Sequence, residues 1–245
     1  MDERKVERKF FHDLLNLASS MRGITEIIRD EDDKTRAEML LLMGNISESM
    51  IETINAQRHY RSMEAKDLTL HPSPVDCEKL LKRTAEIYNR HTLCQHKTIE
   101  IRTSEQPHRQ TPIGLFTDKD LLQGALGYGI RTALETINNG QAVTLSLITE
   151  ETAEPPAVVF LISFPGTVSE EARESIFKNA ETDTHAMTGL SAYLFYTLIT
   201  RYLQGSVNWT THDGSIQLSA RFHLTDRGAL TDANESNCNG YAGDR

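Results

Sequence analysis

The stretch that decides the fold reads FFHDLLNLASSMRGITEIIR and covers residues 10–29. It contains no proline, and its apolar side chains recur at alternating spacings of three and four, which is the pattern of a heptad seam. The seam consists of Phe11, Leu14, Ala18, Met21, Thr25 and Ile28, and it is widened by Phe10, Leu17, Ile24 and Ile27. This periodicity predicts one helix from about Glu3 to Arg29.

A second helix is predicted from about Thr35 to Ala65. It repeats the same periodicity with Met39, Met43, Ile46, Met50, Ile54 and Gln57. The acidic run at residues 30–33 predicts a short turn between the two helices, so that they lie antiparallel. Each helix has an apolar face too wide for one hairpin to bury. We therefore predict a homodimer in which two hairpins pair into a four-helix bundle.

The pattern changes after the hairpin. Two nearby prolines predict an extended linker over residues 68–75. Helices are then predicted near residues 76–90, 118–137, 169–178 and 190–203, with strands at 98–102, 142–148, 158–163, 207–211 and 215–223. This order predicts an α/β sandwich with a largely antiparallel sheet over residues 76–224. The predicted fold class is α+β, with a hairpin domain at 1–67 and a disordered polar tail at 225–245.

Composition excludes several classes of function. The 245 residues carry a formal net charge of −9, which argues against a nucleic-acid groove. No apolar run approaches the roughly 18 residues of a membrane span, and the charged start lacks a secretory signal. The cysteines, Cys77, Cys94 and Cys238, are odd in number and widely spaced, so neither a disulfide framework nor a metal pair is indicated. We expect a cytoplasmic protein without nucleic-acid or membrane partners.

A polar stripe runs along the first predicted helix, on the side that avoids the apolar seam. It consists of His12, Asn16, Ser19, Gly23 and Glu26, spaced by four, three, four and three. His12 is thereby predicted to face solvent beside the carboxylate of Asp13. A neutral imidazole nitrogen there can attack phosphorus while a carboxylate holds the proton of the other nitrogen. From composition alone, a plain surface histidine on a dimerisation helix is the favoured interpretation.

The string from Phe10 to Asn16 resembles the H-box of sensor histidine kinases, which has an acidic residue after the histidine and Asn or Thr four residues on. Ala18 to Gly23 and Asn55 to Arg58 are similar to one subgroup of that family. The resemblance implies that His12 is the phosphoacceptor. It implies that Asp13 is the general base or acid of transfer, and that Asn16 takes part in phosphatase chemistry.

The remainder, to about Leu224, is similar in order and length to the ATP-binding domain of the same kinases. The segment at residues 121–136 matches the N-box, but Tyr128 and Thr132 stand where the family has asparagines. The second of those asparagines binds the Mg²⁺ that bridges the triphosphate. A threonine hydroxyl is a shorter and weaker ligand than an amide carbonyl. Tyr128 is also expected to place a large ring where the phosphates pass.

The two glycine motifs of the family are degenerate in this chain. In the D-x-G-x-G motif, Ser163 replaces the aspartate that accepts the adenine amino hydrogen bond, and Pro165 and Thr167 replace the glycines. In the G-x-G-L-G-x-Y motif, only Gly189 of three glycines is kept, since Met187 and Ser191 replace the others. We therefore expect ATP binding to be lost at the degenerate positions Thr132, Ser163 and Gly189. The ligand-type residues His91, Cys94 and His96 have no second cluster, so no metal site is expected.

The sequence therefore predicts a two-component phosphorelay protein, a histidine phosphotransferase without a tightly bound cofactor. Its partners are a second copy of itself and a response-regulator receiver domain that supplies Mg²⁺, and an upstream histidine kinase is a further candidate partner. The lack of a sensor, membrane or receiver segment fits a relay intermediate, and equally a piece of a longer kinase. Two alternatives stay open: an active ATP-dependent histidine kinase with an atypical site, and a non-catalytic dimeric adaptor.

Overall fold

The computed structural model describes residues 3–103, 113–166 and 186–224. The chain begins with a helical hairpin of α1 (Glu3–Ile27) and α2 (Asp33–Ala65), joined by a 3-10 turn at Ile28–Asp30. Asp32 caps α2 by accepting hydrogen bonds from the backbone N–H groups of Lys34 and Thr35. The acidic run that breaks the heptad pattern thus starts the second helix. The predicted hairpin is confirmed within two residues at each end.

The second part of the chain is a two-layer α/β sandwich. Its elements are β1 (Pro72–Asp76), α3 (Cys77–Asn89), β2 (Thr98–Thr103), β3 (Gly114–Asp118), α4 (Lys119–Thr136), β4 (Ala142–Glu150), β5 (Ala157–Pro165), α5 (Ala186–Thr197), β6 (Ser206–His212) and β7 (Ser215–His223). Five strands form a sheet in the order β2-β4-β5-β7-β6, in which only the β2–β4 pair is parallel. Alternate residues of β4 and β7 are buried, so one face of the sheet packs on the helices. The predicted α+β class is confirmed.

The segment predicted as a linker is partly a strand. Pro72 to Asp76 pairs antiparallel with Gly114 to Asp118, a strand that sequence analysis missed. Two prolines fit here because β1 has a single partner strand, so its outer edge does not require backbone N–H donors. Asp118 closes this ribbon by accepting a hydrogen bond from the His71 N–H at 2.8 Å and from the Leu121 N–H at 2.9 Å.

The helix predicted at residues 190–203 was placed too late. It begins at Ala186, so Gly189 and Ser191 lie inside α5 rather than in a glycine-rich loop, and it continues into a π-turn at Leu198–Tyr202. Thr167, the helix predicted at residues 169–178 and the tail from residue 225 lie outside the described residues.

The last turns of α2 belong to the core of the sandwich. Ala56, Tyr60 and Met63 are buried in the same cluster as the strands and α4. The ring of Tyr60 meets Tyr193 of α5 edge to face at 6.4 Å, and the Tyr202 hydroxyl lies 3.5 Å from the carbonyl oxygen of Met63. The hairpin therefore enters the sandwich instead of ending at its surface.

Candidate functional site

His12 lies on the solvent-facing side of α1, and 70% of its side chain is exposed. The other members of the polar stripe, Asn16, Ser19, Gly23 and Glu26, are exposed as well. α1 packs on α2, and its Ile24, about 100° around the helix from Gly23, is 8% exposed. The stripe is exposed in the single chain, as are Phe11 and Ile27 of the apolar face, so its orientation in a dimer stays a prediction. A rigid helix presents the imidazole where a macromolecular partner can reach it.

Two neighbours contact the same nitrogen of the His12 ring. Asp13 Oδ1 lies 3.3 Å from Nδ1, and the Asn16 amide nitrogen lies 3.2 Å from Nδ1. The carboxylate can only accept a hydrogen bond from Nδ1–H, whereas the amide N–H can only donate a hydrogen bond to a bare Nδ1. The two contacts therefore favour opposite tautomers. Pairing with Asp13 leaves the Nε2 lone pair free and nucleophilic, and pairing with Asn16 places the proton on Nε2.

The hairpin fixes the position of this group. Glu7 of α1 and Arg61 of α2 form an ion pair with 2.6 Å between carboxylate oxygen and guanidinium nitrogen, little more than one helical turn before His12. Asp13 is only 22% exposed, in contrast to the histidine beside it. A half-buried carboxylate next to an exposed imidazole has few rotamers available. The arrangement thus suits a carboxylate that orients the ring.

Thr132, at the degenerate position where the resembled family has a metal-binding asparagine, is enclosed by protein packing. Thr132 is 1% exposed, and its hydroxyl donates to the carbonyl oxygen of Tyr128 in the preceding turn at 2.9 Å. Gly129 lies so close to β5 and α5 that an added Cβ would come within 2.7 Å of Ile162 and 3.0 Å of Phe195. The Thr132 hydroxyl is therefore hydrogen-bonded within α4 and does not point into a cavity.

The other two degenerate positions also lie in regular structure. Ser163 is a half-buried residue of β5, paired with Thr144 on one side and Gln217 on the other. Gly189 lies in the first turn of α5. A glycine within a helix does not supply the unusual φ angles for which a glycine-rich lid needs it.

The sequence did not reveal the role of Tyr128. Its hydroxyl lies 2.9 Å from Nδ1 of His59 on α2, so the ring faces the hairpin. Burial raises the pKa of Tyr128, so the phenol keeps its proton and can donate a hydrogen bond to Nδ1 when the His59 ring proton is on Nε2. Burial lowers the pKa of His59, and the positive charge of Arg58 lowers it further, against the opposing effect of Asp118. The residue that replaces a family asparagine thus joins the two parts of the chain.

A cleft of about 890 Å³ lies between α2 and the sandwich. Its walls include Glu52, Asn55 and His59 from α2, and Tyr88 and Tyr128 from the sandwich. Gly127 faces the same region, where an added Cβ would come within 2.8 Å of the Tyr88 hydroxyl oxygen. Sequence analysis did not bring these walls together, because they come from segments up to 80 residues apart.

The chain matches no family model and no curated protein sequence. Solved structures do match. The histidine kinase AdeS of Acinetobacter baumannii is 14% identical, with a TM-score of 0.53 over 88% of this chain and 98% of that one. The histidine kinase ThkA, solved with the response regulator protein TrrA, is 12% identical, with a TM-score of 0.53 over 90% of this chain and 61% of that one.

A bacterial phosphotransferase is similar over nearly its whole length. It is 10% identical, with a TM-score of 0.52 over 90% of this chain and 97% of that one. Within its described residues, the chain has no helix long and apolar enough to cross a membrane. At these identities the likeness is one of fold. The chain shares the fold of histidine-kinase transmitters, in which a helical hairpin leads into an α/β sandwich.

Proposed function

We propose that the chain is a phosphorelay histidine phosphotransferase, which exchanges a phosphoryl group between His12 and the aspartate of a response-regulator receiver domain. The observation that carries the proposal is the exposed His12 ring, with Asp13 and Asn16 both at Nδ1. The transmitter fold supports it, since ThkA has been solved with a response regulator.

The transfer step follows from the tautomer that Asp13 selects. With the Nδ1 proton hydrogen-bonded to Asp13, the Nε2 lone pair attacks phosphorus in line with the leaving oxygen. The bond between phosphorus and the receiver's aspartate oxygen breaks, and its electron pair leaves with the carboxylate. The Asp13 carboxylate stabilises the positive charge that the new N–P bond places on the ring. The receiver domain brings the Mg²⁺ that neutralises the phosphoryl oxygens, and the reverse transfer uses the same groups.

The proposal includes a homodimeric four-helix bundle. Large apolar side chains of the hairpin are 40–65% exposed in a single chain, among them Phe11, Leu15, Leu40, Ile51 and Ile54. Helical spacing puts the three residues of α2 on one side of that helix. A second hairpin would cover these side chains and leave the polar stripe of α1 accessible.

We further propose that the sandwich does not feed His12 from ATP. The buried Thr132 hydroxyl and the helical Gly189 support this, because each removes a contact or a backbone freedom that a bound triphosphate needs. Each lost specific polar contact costs roughly 1–3 kcal/mol, so several together weaken binding by orders of magnitude.

The test is a back-transfer assay with receiver domains from the same genome, labelled on aspartate with acetyl [³²P]phosphate. We expect label on the full chain within minutes, and none on His12→Gln. His212→Gln is a matched control, because His212 is 73% exposed and its Nδ1 lies 2.9 Å from Asp213. Labelling from [γ-³²P]ATP alone would indicate an active kinase instead. A failure of every receiver to transfer would favour the non-catalytic adaptor.

A further inference from the structure

A buried group of polar and charged side chains joins the hairpin to the sandwich. Glu52 comes from α2, His91 follows α3, and Arg131 and Glu135 come from α4. Glu52 Oε2 lies 3.0 Å from His91 Nε2 and 3.8 Å from an Arg131 guanidinium nitrogen, whose Nε lies 2.9 Å from Glu135. Their side chains are between 3% and 16% exposed. We call these four residues the α2 latch.

Hydrogen bonds determine the proton position on His91. The Leu93 N–H donates to Nδ1 at 3.0 Å, so the ring proton is on Nε2, which lies 3.1 Å from Ser49 Oγ. Ser49 in turn donates to the carbonyl oxygen of Asn45 at 3.0 Å. Both Ser49 and Glu52 are therefore on the Nε2 side. A hydrolytic triad needs its carboxylate at the other nitrogen, so this group has a structural role and not a nucleophilic one.

The charges of the latch depend on one another. The Arg131 guanidinium lies between the carboxylates of Glu52 and Glu135. Burial lowers the pKa of Arg131, but the two carboxylates raise it by more. Tyr88, buried beside them, stacks on the His91 ring with 5.6 Å between ring centroids. Charges removed from water are stable only while their partners stay in place. Separation of α2 from the sandwich would leave the Arg131–Glu135 pair without Glu52.

Further contacts extend the latch along α2. The His59–Tyr128 hydrogen bond and the buried Tyr60 and Met63 join the same helix to the sandwich. From Ser49 to Met63 these contacts span 14 residues, or about 21 Å of helix. A contact of that length resists both rotation and tilting of one part against the other.

We propose that the α2 latch holds the sandwich in one fixed orientation on its own hairpin, and that the Glu52 charge is required to keep it there. The sandwich then moves with α2 as one body, and anything that docks beside His12 meets a preformed surface made of both parts. This inference concerns the joint between them and does not depend on phosphoryl transfer at His12.

The test measures the distance between spin labels on the full chain. Labels at the exposed positions Glu38 and Thr210 report α2 and β6, with Cys238 changed to serine and the buried Cys77 and Cys94 retained. An excess of unlabelled protein keeps one labelled chain per assembly. We expect a single narrow distance distribution, which at least doubles in width in Glu52→Gln. Glu48→Gln is the matched control, since it changes an exposed carboxylate one turn away on the same helix.

Circular dichroism establishes that each variant is folded. If Glu52→Gln does not fold, Arg131→Lys replaces it, because lysine keeps the charge but loses the two-sided geometry of the guanidinium. Broad or multiple distances in the unmodified chain would overturn the proposal. An unchanged distribution in the folded Glu52 or Arg131 variant would overturn it as well.

Discussion

Replacement of Leu40 by glutamate should disrupt the proposed dimer. Leu40 is 57% exposed in a single chain and shares its side of α2 with Ile51 and Ile54. Full burial of such a side chain contributes about 1.5–3 kcal/mol, so covering the exposed half contributes about 1 kcal/mol. A symmetric dimer has two copies of Leu40 at its interface, so the variant loses this contribution twice. Desolvation of two carboxylates costs at least as much again, which gives about 4 kcal/mol, or roughly 1000-fold weaker association.

Leu41→Glu provides the matched comparison. Leu41 is 67% exposed, but it points about 100° away from Leu40 around the helix. Sedimentation equilibrium should show a monomer–dimer dissociation constant raised roughly 1000-fold by Leu40→Glu and changed less than tenfold by Leu41→Glu, with unaltered helix content. Equal weakening by both variants would contradict the proposed face, and a monomeric unmodified chain would refute the bundle.

Three further predictions concern individual side chains. Because the pKa of His59 in the folded chain lies below its ordinary value of 6.5, folding favours the neutral ring. The contribution of this ring to the free energy of unfolding is therefore full above pH 6.5 and is lost as pH falls through the folded pKa. Urea unfolding between pH 5 and 7.5 should show this decline, and it should be smaller in His59→Gln. Burial raises the pKa of Cys77 from 9.0 to about 12, so at pH 8 its thiolate is roughly 1000-fold less populated than that of an exposed cysteine. Iodoacetamide should therefore modify Cys77 only after unfolding, which peptide mass spectrometry would show. Asp118→Ala removes two backbone hydrogen bonds and should lower the free energy of unfolding by about 2–3 kcal/mol, with a smaller loss in Asp118→Asn.

Much of the fold could be predicted from the sequence because it depends on the local pattern of apolar and polar residues. The heptads at residues 10–29 and the acidic turn indicated the hairpin, and Asp32 is indeed the cap of α2. The β1–β3 ribbon was not readable, since it pairs residues about 40 positions apart and its first strand contains two prolines. Strand pairing over such a separation depends on tertiary packing that a single sequence does not display.

The candidate site likewise contains contacts that the local sequence predicts and contacts that it does not. His12, Asp13 and Asn16 are within one turn of α1, so helical spacing was sufficient to predict their contact. The contact of Tyr128 with His59 was not predictable, because it joins residues 69 positions apart. The sequence indicated only that Tyr128 replaces a family asparagine, and its ring was expected near the phosphates. The structure shows instead what the replacement contacts.

The central claim is that His12 exchanges a phosphoryl group with a receiver aspartate. The most direct measurement is ³¹P NMR of the full chain mixed with a receiver domain and acetyl phosphate in the presence of Mg²⁺. A phosphoramidate resonance that appears only with the receiver present, and is lost in His12→Gln but kept in His212→Gln, is the predicted result. A resonance that needs ATP and no receiver, or one that persists in His12→Gln, would contradict the account.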